Sequence, residues 1–162
     1  MKNTGTLKVT TPTEREIVLT RVFDAPRRLV FDAFTKPELL KPWFGPRGWS
    51  LAVCEVDLKV GGTWRFVVRG PDGTEMGMRG VYREILPPER LVSTESFDDY
   101  PGESLVTTVL VEDRGRTTMT GTLLYASQEI RDAMIKSGME HGAAESYDRL
   151  AEMLALKSKG EN

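Results

Sequence analysis

Thr63-Trp64-Arg65-Phe66-Val67-Val68-Arg69-Gly70-Pro71-Asp72-Gly73-Thr74-Glu75-Met76-Gly77-Met78-Arg79-Gly80-Val81-Tyr82 is the stretch that decides the fold. Large apolar side chains alternate at Trp64, Phe66 and Val68, stop at Pro71-Asp72-Gly73, and resume at Met76, Met78 and Tyr82. A period of two puts each set on one face of a strand, and a Pro-initiated turn sends the second strand back antiparallel. The same pattern extends outward over 50–125. Gly61-Gly62, Pro87-Pro88, Asp98-Asp99-Tyr100-Pro101-Gly102 and Asp113-Arg114-Gly115 supply the other turns. Strands are expected near 51–59, 63–70, 74–86, 90–97, 104–112 and 116–125.

The flanks read differently. Glu14 to Phe23 is rich in β-branched residues and runs into Asp24-Ala25-Pro26, a strand followed by a helix start. Leu29, Val30, Ala33 and Phe34 recur at helical spacing, giving a short helix over 26–34, and a second short helix ends near Pro42 or Trp43. Past Tyr125, Ser127 caps a helix over 128–137; Gly138 breaks it, and a longer helix covers 139–157 with Met139, Ala143, Tyr147, Leu150 and Leu154 on one stripe. At about 1.5 Å per residue that helix is roughly 28 Å long, enough to lie along the sheet. Residues 1–13 are expected to be a flexible arm, 14–157 one domain and 158–162 a tail. The fold class is α+β: a curved, antiparallel, seven-stranded sheet with one face under the last helix.

Composition excludes much chemistry. The chain has 162 residues, with 22 Lys and Arg against 24 Asp and Glu, so a net charge of -2 gives no basic face for nucleic acid. No apolar run approaches the roughly 20 residues of a membrane span, and the first residues lack a secretory core, which points to the cytoplasm. One cysteine, Cys54, and one histidine, His141, are too few for a zinc site or a disulfide. No metal and no cofactor are expected.

The side chains that alternation groups together are the candidate site. Trp64, Phe66 and Val68 share one parity, Met76, Met78 and Tyr82 another, and Thr117, Met119, Leu123 and Tyr125 a third. The bland reading of these sets is core. The sharper one is a pocket, in which methionine adapts to varied apolar shapes and Tyr82, Thr107, Tyr147 and His141 orient the occupant. Asp57, Glu84 and Glu95 lie on strands and could point inward, which matters if a water or a carbonyl substrate is bound; the default reading is a carboxylate solvated or paired with arginine. Cys54 reads as a small hydrophobe.

Several segments carry a resemblance. Phe23-Asp24-Ala25-Pro26-Arg27-Arg28-Leu29-Val30-Phe31-Asp32-Ala33-Phe34, Trp43-Phe44-Gly45-Pro46, Val56-Asp57-Leu58-Lys59-Val60-Gly61-Gly62-Thr63-Trp64-Arg65-Phe66, Gly80-Val81-Tyr82-Arg83-Glu84-Ile85 and Gly138-Met139 stand in order. Together they resemble the family named after the activator of heat-shock protein 90 ATPase, within the START-related, birch-pollen-allergen-like and polyketide-cyclase-like superfamily. The resemblance implies a helix-grip fold with a hydrophobic cavity between sheet and last helix, and it places Trp43, Trp64, Phe66, Tyr82 and Met139 at the pocket. With the parity sets, the expected ligand-binding residues are Trp43, Phe44, Trp64, Phe66, Met76, Met78, Tyr82, Phe97, Thr107, Met119, Met139, Ala143 and Tyr147, with none catalytic. Ala143 departs from the family, whose closing helix commonly carries an aromatic residue just after its second glycine. The leading functional expectation is a monomer or homodimer that binds a hydrophobic small molecule, lipid-like or aromatic and polyketide-like. Two alternatives follow from the family: a partner that stimulates the chaperone ATPase, and a cyclase or hydrolase using cavity carboxylates and Tyr82.

Overall fold

The computed structural model describes residues 7–100 and 102–160. Its elements run β1 (Lys8–Thr10), β2 (Glu16–Phe23), α1 (Arg27–Thr35), α2 (Pro37–Leu40), β3 (Ser50–Val56), β4 (Thr63–Arg69), β5 (Glu75–Leu86), β6 (Arg90–Phe97), β7 (Glu103–Asp113), β8 (Arg116–Tyr125), α3 (Gln128–Lys136) and α4 (Met139–Gly160). The strands form one antiparallel sheet in the order β1-β2-β8-β7-β6-β5-β4-β3. The sheet therefore has eight strands where the sequence reading has seven. The extra strand is β1, inside the stretch expected to be an arm, where Lys8, Val9 and Thr10 pair with Thr20, Leu19 and Val18. Residues 1–6 of that expected arm, Pro101 of the expected turn, and residues 161–162 of the expected tail lie outside the described residues. The final helix runs past 157 to Gly160.

β3 also stops earlier than expected, at Val56. Asp57 N–H donates to the Thr63 carbonyl at 3.0 Å and Gly62 N–H to the Lys59 carbonyl at 2.8 Å, so 57–62 closes as a loop and not as a two-residue turn. A Cβ on Gly62 would strike the Asp57 carbonyl, which is why glycine stands there.

The register puts the expected parity sets on one face. Phe66 stands opposite Met78 and Val68 opposite Met76 across β4 and β5, while Met119 faces Leu110 and Arg21 across β8 with β7 and β2. Buried Phe23, Val30, Trp43, Trp64, Phe66, Met78, Tyr82, Met119, Leu150 and Leu154 make one core between this face and the helices. Ile17, Leu19, Leu123 and Tyr125 make a second, against which Met134 and Met139 pack. Ser127 caps α3 as expected, its hydroxyl accepting from Ile130 N–H at 3.2 Å.

α4 is pinned to the segment between α2 and β3. Arg149 on α4 donates to the carbonyls of Gly45, Pro46 and Trp49 at 2.8, 3.1 and 3.2 Å, and to that of Pro42 at 3.1 Å. The Ser146 hydroxyl accepts from Gly45 N–H at 3.0 Å and donates to the Trp43 carbonyl at 3.4 Å. On the β2 side, buried Arg21 meets Asp148 at 2.7 Å. One helix thus holds both the sheet and the loop that would otherwise expose its backbone.

Arg149→Met keeps the stem and removes the donors, so the loop carbonyls lose their partner; the variant is expected to lose about 2 kcal/mol of stability in urea unfolding. An unchanged midpoint and slope would show that the latch does not hold α4.

Candidate functional site

The inner face of the sheet is uneven. At the end under α1 and α2 it is filled by rings: Trp64 and Phe66 lie 4.8 Å apart between centroids, Phe44 and Phe66 5.0 Å, Phe34 and Trp43 5.3 Å, and Trp43 stacks on Tyr147 at 6.1 Å. Ring pairs of this kind contribute about 0.5–1.5 kcal/mol each beyond their burial. Of the expected pocket residues, Trp43, Trp64, Phe66, Met78, Tyr82 and Met119 are fully buried core, and Phe44, Met76, Phe97 and Tyr147 pack against them with part of their surface open. Met139 joins the second cluster, and Ala143, on the same helix, is half-buried. Thr107 is not brought to this place. It pairs with Val92 and Thr122, on the parity opposite to Val106 and Leu123, and so faces away from α4. His141 is on the surface beside Glu145, at 3.3 Å, and cannot orient an interior ligand.

Farther along the same face the side chains become small and polar. Trp64 pairs with Gly80. The register that sets Arg79 opposite Ser96 and Tyr82 opposite Ser93 brings Gly80 opposite Glu95. Glu95 pairs with Ser104, and Ser104 with Tyr125. One row across the sheet therefore reads Trp64, Gly80, Glu95, Ser104, Tyr125. Gly80 permits it, because a Cβ there would strike both the Thr94 carbonyl and the Trp64 indole nitrogen, which lies across the glycine.

Glu95 is the residue the parity sets did not single out. It shares its side of β6 with Leu91 and Phe97, both packed on the core. Desolvation alone pushes its carboxyl up to about 7. Burial also raises the phenols of Tyr125 and Tyr147, and in each the nearby Glu95 charge adds to the effect. Yet Glu95 and Tyr147 are each only half-buried. Desolvation with retained surface fits a recess inside the molecule better than the open surface. Ser93, Val106 and Thr108, which flank Glu95 on the same face, are likewise only half-buried.

Two donors at this row are unsatisfied. The Trp64 indole N–H and the Tyr125 hydroxyl are buried without a hydrogen-bond partner. Buried polar groups are rarely left so, and each costs about 1–3 kcal/mol where it has none. Tyr82 lies in the core and Cys54, partly buried on the edge strand β3, packs against it; burial raises both the phenol and the thiol. Among the described residues, no three His, Cys, Asp or Glu side chains come together as metal ligands would, and no helix is long and apolar enough to cross a membrane. Two surface hollows lie elsewhere. One of about 170 Å³ sits between Tyr100 and α3, and one of about 300 Å³ opens among Thr94, Leu105 and Leu124 on the outward side of the sheet. The second touches Ser104 and Tyr125 from that side, but neither is walled by the rings of the interior.

Two outcomes test this geometry. Gly80→Ala should cost about 3 kcal/mol in chemical unfolding, since neither a backbone carbonyl nor a packed indole can yield cheaply. Glu95 binds its proton more tightly folded, at about 7, than unfolded, at 4.5. The native state therefore holds the extra proton between those values, so stability falls as pH rises through that window and levels off above it. The full span is about 3 kcal/mol. Glu95→Gln lacks this slope, and urea unfolding should find it more stable than the parent near pH 8 but not near pH 4.5. An equal difference at both would place Glu95 in ordinary solvent.

No curated protein matches the sequence. Among solved structures, a protein from Rhodobacter sphaeroides is 33% identical and superposes with a TM-score of 0.89 over 94% of this chain and 99% of its own. One from Nitrosomonas europaea is 26% identical, with a TM-score of 0.82 over 92% and 99%. One from Arthrobacter aurescens is 27% identical, with a TM-score of 0.83 over 91% of each. The family model described as Activator of Hsp90 ATPase homolog 1-like protein matches residues 24–155. With the helix-grip architecture and an almost complete superposition on the Rhodobacter protein, this chain is a member of the activator of Hsp90 ATPase homologue 1-like family.

Proposed function

We propose that the protein binds an apolar small molecule in the recess between α4 and the inner face of β6, β7 and β8, with the polar end of the molecule at Glu95. One observation carries this reading: Glu95 and Tyr147 are desolvated but keep accessible surface, where Ser93, Ser104, Val106, Thr108 and Gly80 stand between the larger Phe97, Leu123 and Tyr125 of the same face. Apolar contact supplies the affinity and a few placed polar groups the orientation. Burying about 300 Å² of ligand surface would contribute roughly 7 kcal/mol before association costs of several kcal/mol, so contacts at Glu95, Tyr125 and Trp64 decide whether binding is useful.

A second reading has its own support. A carboxyl near 7 beside two phenols is what general acid–base chemistry needs, and it favours the cyclase or hydrolase alternative over a purely passive carrier if a bound molecule is turned over. The chaperone alternative draws support from the family name alone, and a chaperone ATPase assay with the purified protein decides it by a changed or unchanged rate.

The binding reading is tested with N-phenyl-1-naphthylamine, a neutral dye that brightens in apolar surroundings. Saturable one-to-one enhancement is expected. Ser93→Leu should fill the recess, weaken the dye by at least about tenfold and leave stability within about 1 kcal/mol. No enhancement, with Ser93→Leu strongly destabilised by overpacking, would mean that the interior is closed.

A further inference from the structure

The recess proposed above contains a charge imbalance. Glu95 is its acid, and among the described residues no lysine, arginine or histidine pairs with it. The cations that approach the sheet from the surrounding elements stand away from Glu95. Arg21 on β2 meets Asp148 through one nitrogen and keeps its Nε and its other Nη buried without a hydrogen-bond partner, but it lies in the row of Met119 and Leu110, six residues along β8 from Tyr125; Arg131 on α3 is bound to the carbonyls of Thr13 and Glu16 and to Asp132, and Arg149 on α4 to the loop carbonyls. The titratable groups that share the inner face with Glu95 are Tyr82 from β5, Tyr125 from β8, Tyr147 from α4 and, on the outer strands of that face, Cys54 from β3 and the Asp148-bound Arg21 from β2; burial raises the phenols and the thiol, which stay neutral. The Trp64 N–H and the Tyr125 O–H stand in its row as unpartnered donors. Both can serve an ionised carboxylate, and neither supplies the missing positive charge.

We infer that the recess selects an apolar molecule ending in a protonated amine, its ammonium against the Glu95 carboxylate and its hydrocarbon along Phe97 and Tyr147, and that it refuses a molecule ending in a carboxylate. In a desolvated site an unpaired carboxylate attracts a cation more strongly than it would in water, and repels a second anion to the same degree. Aromatic faces favour the cation further. An alcohol of the same length meets the same walls but brings no charge, so it separates the contribution of the recess from that of Glu95.

The test uses the full chain and three probes of equal length, octylamine, octanol and octanoate, by isothermal titration below their micelle concentrations. Near pH 8 octylamine should bind at least about tenfold tighter than octanol, and octanoate should show no binding. Glu95→Gln should weaken octylamine by at least about tenfold and leave octanol within about threefold. In the parent protein the octylamine preference should also fade near pH 5, where Glu95 is protonated, so the outcome does not depend on the variant folding. If octanoate binds as well as octylamine, or if the preference survives both pH 5 and Glu95→Gln, the charge selection is wrong. Equal binding of all three would leave the apolar recess standing and overturn only this inference, whereas binding of none would overturn both.

Discussion

Eight antiparallel strands present one long apolar face, and a single 22-residue helix must take most of it out of water. That coverage depends on where α4 is held. Arg149 and Ser146 fix its middle to the loop before β3, and the Arg21–Asp148 pair fixes it to β2. Between those two anchorages, among the described residues, the helix makes no polar tie to β8, β7 or β6. A helix held at two sides over a sheet this wide packs tightly where bulky side chains rise to meet it, and stands off where they do not.

The sheet meets it with its bulkiest rings at one end. Trp64, Phe66 and Met78 rise from β4 and β5 and interlock with Phe44, Trp43 and Tyr147. Along β6 and β7 the inner positions Ser93, Glu95, Ser104, Val106 and Thr108 lie between the larger Leu91, Phe97 and Leu110, with Gly80 and Gly121 on the strands either side. The same Gly80 that lets the Trp64 indole lie flat leaves Glu95 without a bulky neighbour across the strand pair. The packing of the rings at one end and the proposed recess rest on the same arrangement.

Much of this was legible in the sequence because the informative residues are large. Trp64, Phe66, Val68, Met76, Met78 and Tyr82 alternate without exception, so a period of two assigns them to one face, and the register agrees. Ser127 and Gly138 bound α3 by local hydrogen bonding and backbone freedom, which need no tertiary context. The misreadings have physical causes. β1 is three residues long and exists because β2 would otherwise present a free edge, a fact about the sheet and not about Lys8-Val9-Thr10. In Val106-Thr107-Thr108-Val109 both parities carry the same residue types, so nothing local says which faces inward; pairing with Ser93 and Leu91 decides for Val106 and Thr108 and against Thr107. Glu95 reads in the sequence as one strand carboxylate beside Asp57 and Glu84, solvated or paired with arginine by default; its burial is tertiary, and its charge reaches Tyr125 on β8 and Tyr147 on α4, far away in the chain.

The family membership gives the frame, and Glu95 gives this chain its character within it. The most direct measurement is a ¹³C NMR titration of the Glu95 side-chain carboxyl in the unliganded protein. A midpoint about 7 is expected if the carboxyl faces a desolvated recess. A midpoint near the ordinary glutamate value of about 4.3 would put the side chain in open water and contradict the recess itself.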